Sequence, residues 1–311
     1  MDRPLGLAGI VLVRAAEAMR PERRLISWDE PILVIPNLAI HMNRDINNGK
    51  AYKANIDMLP ICRTVQGMWE KDGYLAKKLA QKLSVAAEDI LSFELCAYCY
   101  EPAAIVGFER DMLSSGRLDN LSSVYACLRS LVDADGDGIN VAVLYGNEEI
   151  GSNTRRGADS SSLGIILEKL ALALGLDRAA YIDACLNGML LSCDAAHAAH
   201  PNHQEFADPG NAPTMGGGVA LKLSPRYSTD AETAAVIRAL CRERDIPLQT
   251  YMNRADLPGG STVGSMASSL LAMPAADIGV PILAMHSARE LMGCADQDAF
   301  VRLVKAFYSA K

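Results

Sequence analysis

Apolar and polar positions follow two different patterns along the 311 residues of the chain. Up to about Leu95, short apolar runs are separated by polar or proline-containing stretches, a pattern that predicts extended segments. These segments cover residues 9–13, 31–35 and 38–41. One lysine-rich stretch, Tyr74–Leu83, has helical periodicity instead. The first hundred residues therefore favour a β-rich module.

After about Pro102 the pattern changes to an alternation of helix-like and strand-like stretches. Apolar periodicity predicts helices at residues 120–132, 160–174, 230–244 and 296–309, and strands at residues 141–145, 190–193, 219–223 and 278–284. Such alternation is typical of a mainly parallel sheet with helices on both faces. We therefore predict an α/β fold with a β-rich domain at residues 1–100 and an α/β domain at residues 101–311.

Composition describes an ordinary globular protein and argues against several partners. The net charge of −7 offers no basic stripe, so nucleic acid and anionic membranes are disfavoured. No apolar run approaches the roughly 20 residues that a membrane span requires. The apolar run at residues 5–13 is short and is followed by Arg14, which does not fit a signal peptide. Eight cysteines without a secretory segment predict reduced thiols and a cytoplasmic location.

Candidate chemistry is concentrated where predicted strands end. Glu148 and Glu149 directly follow one apolar run, and Asp194 and His286 each follow another. In open α/β sheets, catalytic groups collect at the carboxyl ends of the strands. Two adjacent carboxylates can divide the work, because one can bind a metal while the other transfers protons. Together with Asp119 in GRLDNL, these residues form a carboxylate and imidazole set that suits zinc, manganese or cobalt.

Each of these residues also has an ordinary structural interpretation. An acidic pair is usually a solvated loop or the start of a helix. Asp119 could cap the predicted helix that begins at Asn120, and Asp194 could cap a short segment at residues 195–199. His286, at the end of an apolar strand, would more often be a hydrogen-bonded core residue. For Glu148 and Glu149, the position after a predicted buried strand, together with the other motifs, favours chemistry over the ordinary role. For Asp119, Asp194 and His286, both interpretations stay open on pattern alone.

Two further motifs are interpreted as parts of a pocket. His197, His200 and His203 resemble a metal cluster, but Pro201 breaks the helical spacing that would align them. Substrate-pocket or structural roles are therefore favoured for the trio. The glycine-rich segment at residues 259–262 lacks the Gly-Lys-Ser/Thr of a phosphate-binding loop. Its glycines are suited to bringing backbone N–H groups close to a peptide carbonyl or carboxylate.

Six separated segments together resemble one known family. GRLDNL, NEEIGSNTRRGA, SCDAAHAAHPN, GGSTVGS and AMHSARE, in this order, are similar to signature segments of the aspartyl aminopeptidase family of dinuclear zinc peptidases. The more N-terminal IPNLAIHMNRDIN resembles the inserted oligomerisation domain of that family. The similarity covers essentially the whole chain. It implies a metal-dependent aminopeptidase that removes N-terminal Asp or Glu from peptides, with a zinc-peptidase-like α/β fold and a β-rich oligomerisation domain.

The resemblance also implies a role for each candidate of the metal site. Asp119 bridges two divalent ions, zinc or alternatively manganese or cobalt. Glu149 and His286 complete the second metal site, and Asp194 serves the first. Glu148 is the general base for a metal-activated water.

Substrate-binding residues and assembly follow from the same resemblance. His41 is expected to reach the active site of a neighbouring subunit, and Lys222 to act as the counter-charge for an acidic substrate side chain. His197, Gly260 and Ser261 are expected to line the substrate pocket. The chain is expected to form a homo-oligomer based on dimers, up to a dodecamer, that acts on peptides with an acidic N-terminus.

One segment of the family's pattern is not found in this sequence. Family members carry an upstream His-x-Asp segment whose His binds the first metal, whereas none of the five histidines here is followed two residues later by Asp. We therefore expect the N-terminal part of the catalytic domain to be missing and the first metal to be weak or absent. Two functions stay open: an aminopeptidase, incomplete or completed by a separate N-terminal part, and a catalytically impaired relative that acts as an assembly or binding subunit.

Overall fold

The computed structural model of the chain describes residues 1–64, 73–136, 138–257 and 259–310. The chain folds as two units, Met1–Pro102 and Ala103–Lys311. The predicted boundary after residue 100 lies two residues before the observed one.

The N-terminal unit is built on a small antiparallel sheet. In the part of the unit that the structure describes, its elements are the strands β1 (Leu5–Val13), β2 (Glu22–Leu33) and β3 (Ile90–Cys99), the helices α1 (Ala54–Asp57) and α2 (Tyr74–Leu83), and one-turn 3-10 helices at Ile40–Met42, Ile46–Asn48 and Ala87–Asp89. β1 is the central strand and pairs antiparallel with β2 and β3. Val11 and Val13 of β1 lie on one face because they are two residues apart, and they pack with Ile26 and Leu79 in the core of the unit.

Most of the predicted N-terminal elements are observed. The predicted helix is confirmed as α2, and the extended segment at residues 9–13 belongs to β1. The segment at residues 31–35 is confirmed in part, because β2 ends at Leu33 and Val34 forms an isolated bridge with Ile61. The extended segment predicted at residues 38–41 is wrong, because this stretch leads into a 3-10 helix. Leu38 and Ile40 are 54% and 51% exposed, so their alternation with other residues does not mark a buried face of a sheet.

The C-terminal unit combines short strands with longer helices. In chain order, its described elements are β4 (Ala104–Val106), β5 (Met112–Ser115), α3 (Leu118–Val132), a 3-10 helix (Glu148–Ile150), α4 (Ser162–Ala173), α5 (Arg178–Asn187), β6 (Leu190–Cys193), β7 (Ala196–His197), a 3-10 helix (Gln204–Phe206), β8 (Val219–Lys222), α6 (Ala231–Glu243), β9 (Leu248–Tyr251), α7 (Val263–Leu271), β10 (Ala275–Gly279), β11 (Pro281–Leu283), β12 (Glu290–Gly293) and α8 (Cys294–Tyr308).

The α/β class is confirmed, but the sheets of this unit are mixed rather than mainly parallel. One sheet has the order β6-β10-β8-β9, in which β8 runs antiparallel to β10 while the other two pairs are parallel. The second sheet has the order β4-β5-β12-β11-β7 and is antiparallel except for β11 and β7. The apolar pattern could not reveal this, because a strand buried on both faces, such as β8, looks the same in either direction.

Helices cover both faces of the central strand β10. Ile278 belongs to the main core cluster, which also contains Ile237 of α6 and Phe300 of α8. Asp277, the next residue along the strand, points to the opposite face and accepts a hydrogen bond from Thr262 at the start of α7. The predicted arrangement of helices around this strand is therefore observed.

Local sequence signals explain where a helix such as α6 begins. The Asp230 carboxylate accepts the backbone N–H of Thr233 at 2.8 Å, and the Thr233 hydroxyl accepts the backbone N–H of Asp230 at 3.0 Å. This capping box satisfies N–H groups that the first turn leaves free. Ala234, Ile237 and Cys241 then recur at helical spacing and are all buried.

Two predicted strands differ from the structure. Residues 141–145 are irregular rather than extended, and no strand among the described residues pairs with them. Val141 and Leu144 are 41% and 50% exposed, and an apolar run alone cannot supply the hydrogen-bonded neighbour that a strand needs. The single strand predicted at residues 278–284 is divided into β10 and β11, which belong to different sheets.

Candidate metal centre

Three of the predicted ligands come together in the C-terminal unit. One ligand atom from each of Asp119, Glu149 and His286 lies within 4.8 Å of the other two. His286 Nε2 lies 3.1 Å from Asp119 Oδ2 and 3.2 Å from Glu149 Oε2. One imidazole nitrogen and two carboxylate oxygens are a typical ligand set of a catalytic zinc site.

The three ligands come from separate elements. Asp119 is the second residue of α3, Glu149 lies in the 3-10 helix that follows the irregular stretch, and His286 lies in the turn between β11 and β12. His286 has a left-handed backbone with φ of +65°. This conformation costs an L-residue about 1–2 kcal/mol, so the surrounding structure must hold the turn in place.

The carboxylate of Glu290 holds two of these ligands by their backbone. Its Oε2 accepts the N–H of Asp119 at 3.0 Å, and its Oε1 accepts the N–H of His286 at 2.7 Å. Glu290 is the first residue of β12 and is only 2% exposed. Glu290 was not predicted from the sequence, although a charged residue that opens an apolar strand four residues after His286 was a visible signal.

Electrostatics around Asp119 favour a cation. Its pKa is raised to about 7, first because the carboxyl group is buried and then because Asp194 and Glu149 add negative charge nearby; His286 offsets part of this. Carboxylates gathered in this way repel one another unless a positive ion lies between them. The donor set and its electrostatics therefore fit a divalent metal ion.

Glu148 lies beside the ligands without belonging to their cluster. It lines the same cavity of about 780 Å³ as Asp119 and Asp194. Burial raises the pKa of Glu148, and the charges of Asp194 and Glu149 add to the shift. A carboxylate whose pKa moves towards neutrality is better suited to accept and return a proton near pH 7.

Asp194 has a buried cationic partner. Lys222, at the end of β8, is 2% exposed, and its Nζ lies 3.4 Å from Asp194 Oδ2. The same Nζ lies 5.5 Å from the centre of the Tyr227 ring, a cation–π distance. A buried ammonium group with one carboxylate and one ring as neighbours can pair with a further carboxylate.

A second cavity of about 470 Å³ is lined by His197 and Gly260. Burial lowers the pKa of His197, and the nearby charges of Lys222 and His286 act in the same direction. Both effects favour the neutral form of the imidazole. Ser261 follows Gly260 and is exposed.

The comparison with known proteins assigns the chain to a family. A family profile described as "Aminopeptidase I zinc metalloprotease (M18)" matches residues 1–308. A "Probable M18 family aminopeptidase 2" of Clostridium novyi (strain NT) is 42% identical over 312 residues, which cover 99% of this chain and 72% of the relative. The protein of the same name from Azotobacter vinelandii (strain DJ / ATCC BAA-1303) is 40% identical over 313 residues, with the same two coverages. The chain belongs to the M18 family.

Solved structures share the fold of this M18 chain. A chain in the cryo-EM structure of the Ape4 and Nbr1 complex has a TM-score of 0.89 and 28% identity; the match covers 99% of this chain and 63% of that one. The M18 aminopeptidase of Thermotoga maritima has a TM-score of 0.84 at 22% identity, with coverages of 99% and 71%. The M18 chain thus spans somewhat less than two thirds of the matched chain in the Ape4 and Nbr1 complex.

Family membership confirms the predicted resemblance at the level of zinc metalloproteases. The M18 chain is a metallo-aminopeptidase, a hydrolase, and zinc is the metal of its family. The acidic specificity, a second metal ion and the missing upstream His-x-Asp segment stay predictions. Among the helices that the structure describes, none has the length and apolar character to cross a membrane. The cytoplasmic location also stays a prediction.

The remaining histidines of the M18 chain are separate from the ligand cluster. His200 and His203 line the second cavity, with ring centres 4.9 Å apart, and no metal-ligand group of three among the described residues includes them. His41 lies exposed in a 3-10 helix of the N-terminal unit. Its predicted role concerns a neighbouring subunit and stays a prediction.

A second buried acid of the M18 chain was also missed in the sequence. Asp277 in β10 accepts hydrogen bonds from the hydroxyl of Thr262 and from the backbone N–H and hydroxyl of Ser228. It thereby ties the end of the glycine-rich segment to the sheet. The signal was an aspartate inside an apolar strand, because a buried charge requires such partners.

Proposed function

We propose that this chain removes an N-terminal Asp or Glu from peptides, using a zinc ion held by Asp119, Glu149 and His286. The observation that carries the proposal is the three-residue cluster with Glu148 beside it in the same cavity. Manganese or cobalt fits the same donor set.

The chemistry is divided between the metal and the chain. When bound, zinc polarises a carbonyl group and lowers the pKa of a nearby water. Glu148 is the general base that takes a proton from the attacking water and passes it to the leaving amine. Its raised pKa suits this exchange, because a general base works best when its pKa is near the working pH.

Lys222 supports the proposed preference for an acidic residue. A substrate carboxylate that reaches the buried ammonium would gain a cationic partner that Asp194 already shares, whereas an apolar side chain would gain none. His197 and Gly260 border the second cavity, where the rest of the peptide would bind, and Ser261 follows Gly260 in the chain.

A second metal position is proposed to be weaker than the first. Asp119 and Asp194 would be its ligands from this chain, and a catalytic zinc normally has three protein ligands. Asp119 is shared with the other ion, and Asp194 also pairs with Lys222. We therefore expect one well-held ion and a second position with low occupancy.

Self-association is part of the proposal. A solved relative at 23% identity and a TM-score of 0.79 is titled as the S. cerevisiae mApe1 dodecamer. We propose that this chain also forms a homo-oligomer based on dimers, up to a dodecamer, in which the N-terminal unit mediates contact and His41 lies near a neighbour's cleft. A cytoplasmic location fits the reduced cysteines expected from the sequence.

The deciding experiment compares Glu148→Gln with the wild type and with Glu232→Gln, an exposed residue of α6. Cleavage of a glutamyl peptide is measured beside the zinc content of each purified chain. Glu148→Gln should keep its zinc and lose about 10²–10⁴-fold in rate, because only the general base is removed. The control should match the wild type.

Other results of this experiment point elsewhere. Full activity of Glu148→Gln would contradict the assigned base. A wild-type chain that binds zinc yet cleaves no peptide would favour the alternative of a catalytically impaired assembly or binding subunit.

A further inference from the structure

We infer that Glu290 is a positioning residue of the metal site, whose carboxylate fixes the backbone of two ligands so that their side chains meet. The inference rests on the proposed roles of Asp119 and His286 as ligands. It assigns a function to a residue that contacts neither the metal nor the substrate.

The geometry provides the first argument. Asp119 and His286 are far apart in sequence, and the two oxygens of one carboxylate join them, with N···O distances of 3.0 Å and 2.7 Å. Hydrogen bonds to a charged acceptor are roughly twice as strong as neutral ones. A single side chain therefore sets the distance between the start of α3 and the turn that carries the imidazole.

The conformation of the turn provides the second argument. Ala284 and His286 both have left-handed backbones, with φ of +56° and +65°. Such a turn is unfavourable for residues other than glycine and needs a specific restraint. The N–H of His286 points inwards to Glu290 Oε1, which holds the imidazole on the side of Asp119 and Glu149.

The burial of Glu290 provides the third argument. The side chain is 2% exposed, and no ion pair among the described residues includes it. Burying a polar group costs free energy unless hydrogen bonds satisfy it. The two hydrogen bonds that Glu290 accepts come from the backbone of two proposed ligands, so its burial is tied to the position of both.

Asp296 offers a matched comparison within the same unit. Its carboxylate is also buried and also accepts two backbone N–H groups, those of Gly216 at 2.7 Å and Gly218 at 2.8 Å. Neither glycine is a proposed ligand. The two carboxylates thus differ in what they hold and not in the kind of bond they form.

The test measures zinc affinity of the full chain for the wild type, Glu290→Gln and Asp296→Asn, by competition with a chromophoric chelator. Unfolding midpoints are recorded with and without zinc, together with the visible spectrum of the cobalt-loaded chain. Glutamine presents one oxygen and one NH2 group, so one of the two ligand N–H groups faces a donor. We expect a zinc affinity about 10–100-fold weaker, as is usual for partners that orient ligands, and an altered cobalt spectrum.

The control separates positioning from plain stability. Asp296→Asn should lower the unfolding midpoint of the metal-free chain while leaving the zinc affinity and the cobalt spectrum unchanged. Glu290→Asp, which keeps the charge but reaches only one of the two amides, should bind zinc with intermediate affinity. If Glu290→Gln does not fold, the zinc affinity of Glu290→Asp is compared with that of the wild type instead, and a weaker affinity is again the expected result.

Two failures are distinguishable. Equal zinc affinity of the wild type and the Glu290 variants would overturn the inference and leave the proposed metal site intact. A wild-type chain that binds no zinc would overturn the proposed site and, with it, the role of Glu290.

Discussion

Replacing Asp119 by asparagine should stabilise the metal-free protein at neutral and alkaline pH while it removes metal binding. The Asp119 side chain is only 6% exposed. Its pKa is about 7 in the folded chain, against an ordinary value of 3.8, because the carboxyl group is buried beside Asp194 and Glu149. Asparagine carries no charge and occupies nearly the same volume.

The size and sign of the effect follow from the two pKa values. They differ by about 3, and each unit is worth about 1.4 kcal/mol, which gives about 4 kcal/mol. The folded state holds this proton more tightly than the unfolded state. The free energy of unfolding is therefore highest below about pH 4, declines as the pH rises towards about 7, and stays lower by that amount above it. Asp119→Asn should lack this decline.

Urea unfolding in the presence of a chelator tests the prediction between about pH 4 and pH 8. Asp298→Asn, on an exposed position of α8, is the control and should follow the wild type. Near pH 8, Asp119→Asn should be more stable by a few kcal/mol and should bind no zinc. Parallel profiles of stability against pH for Asp119→Asn and the wild type would refute the reasoning.

Three further predictions concern specificity, metal and assembly. Lys222→Met should lower kcat/KM for a glutamyl peptide by at least about tenfold, because the buried counter-charge is lost. The kcat/KM for a leucyl peptide should not change, and a fall for both peptides would contradict the assigned role. Removing the metal with a chelator should abolish cleavage, and added zinc should restore it; activity that survives chelation would exclude the proposed chemistry. Sedimentation should show an oligomer in which His41→Ala lowers activity without dissociation, whereas a fully active monomer would contradict the proposed assembly.

Most of the longer helices were predictable because their signals are local, whereas α5 and α7 were missed. The start of α6 is encoded by Asp230 and Thr233, three residues apart, and its buried face by apolar residues at helical spacing. Strand pairing depends on contacts between distant residues. The apolar run at residues 141–145 resembles a strand, yet the structure gives it no pairing strand among the described residues. The direction of β8 was likewise not encoded in its four buried residues.

The candidate site was predictable only in part for the same reason. Glu149 and His286 were predicted because each follows an apolar run, and the family resemblance gave ligand roles to these two residues and to Asp119. Glu290 was not predicted, because its partners are backbone N–H groups, one of them 171 residues away. Every residue except proline carries such a group, so no side-chain pattern marks the partner.

The ion pair between Lys222 and Asp194 makes zinc and an acidic peptide linked ligands in the proposed site. A cation drawn to Asp194 weakens its hold on Lys222 and releases the ammonium for a substrate carboxylate. A substrate carboxylate on Lys222 releases Asp194 for a metal in the same way. Linkage requires that each ligand raise the affinity of the other by the same factor. Occupancy of the weaker metal position should therefore rise with the concentration of acidic peptide, and the free zinc concentration should set the apparent affinity for that peptide.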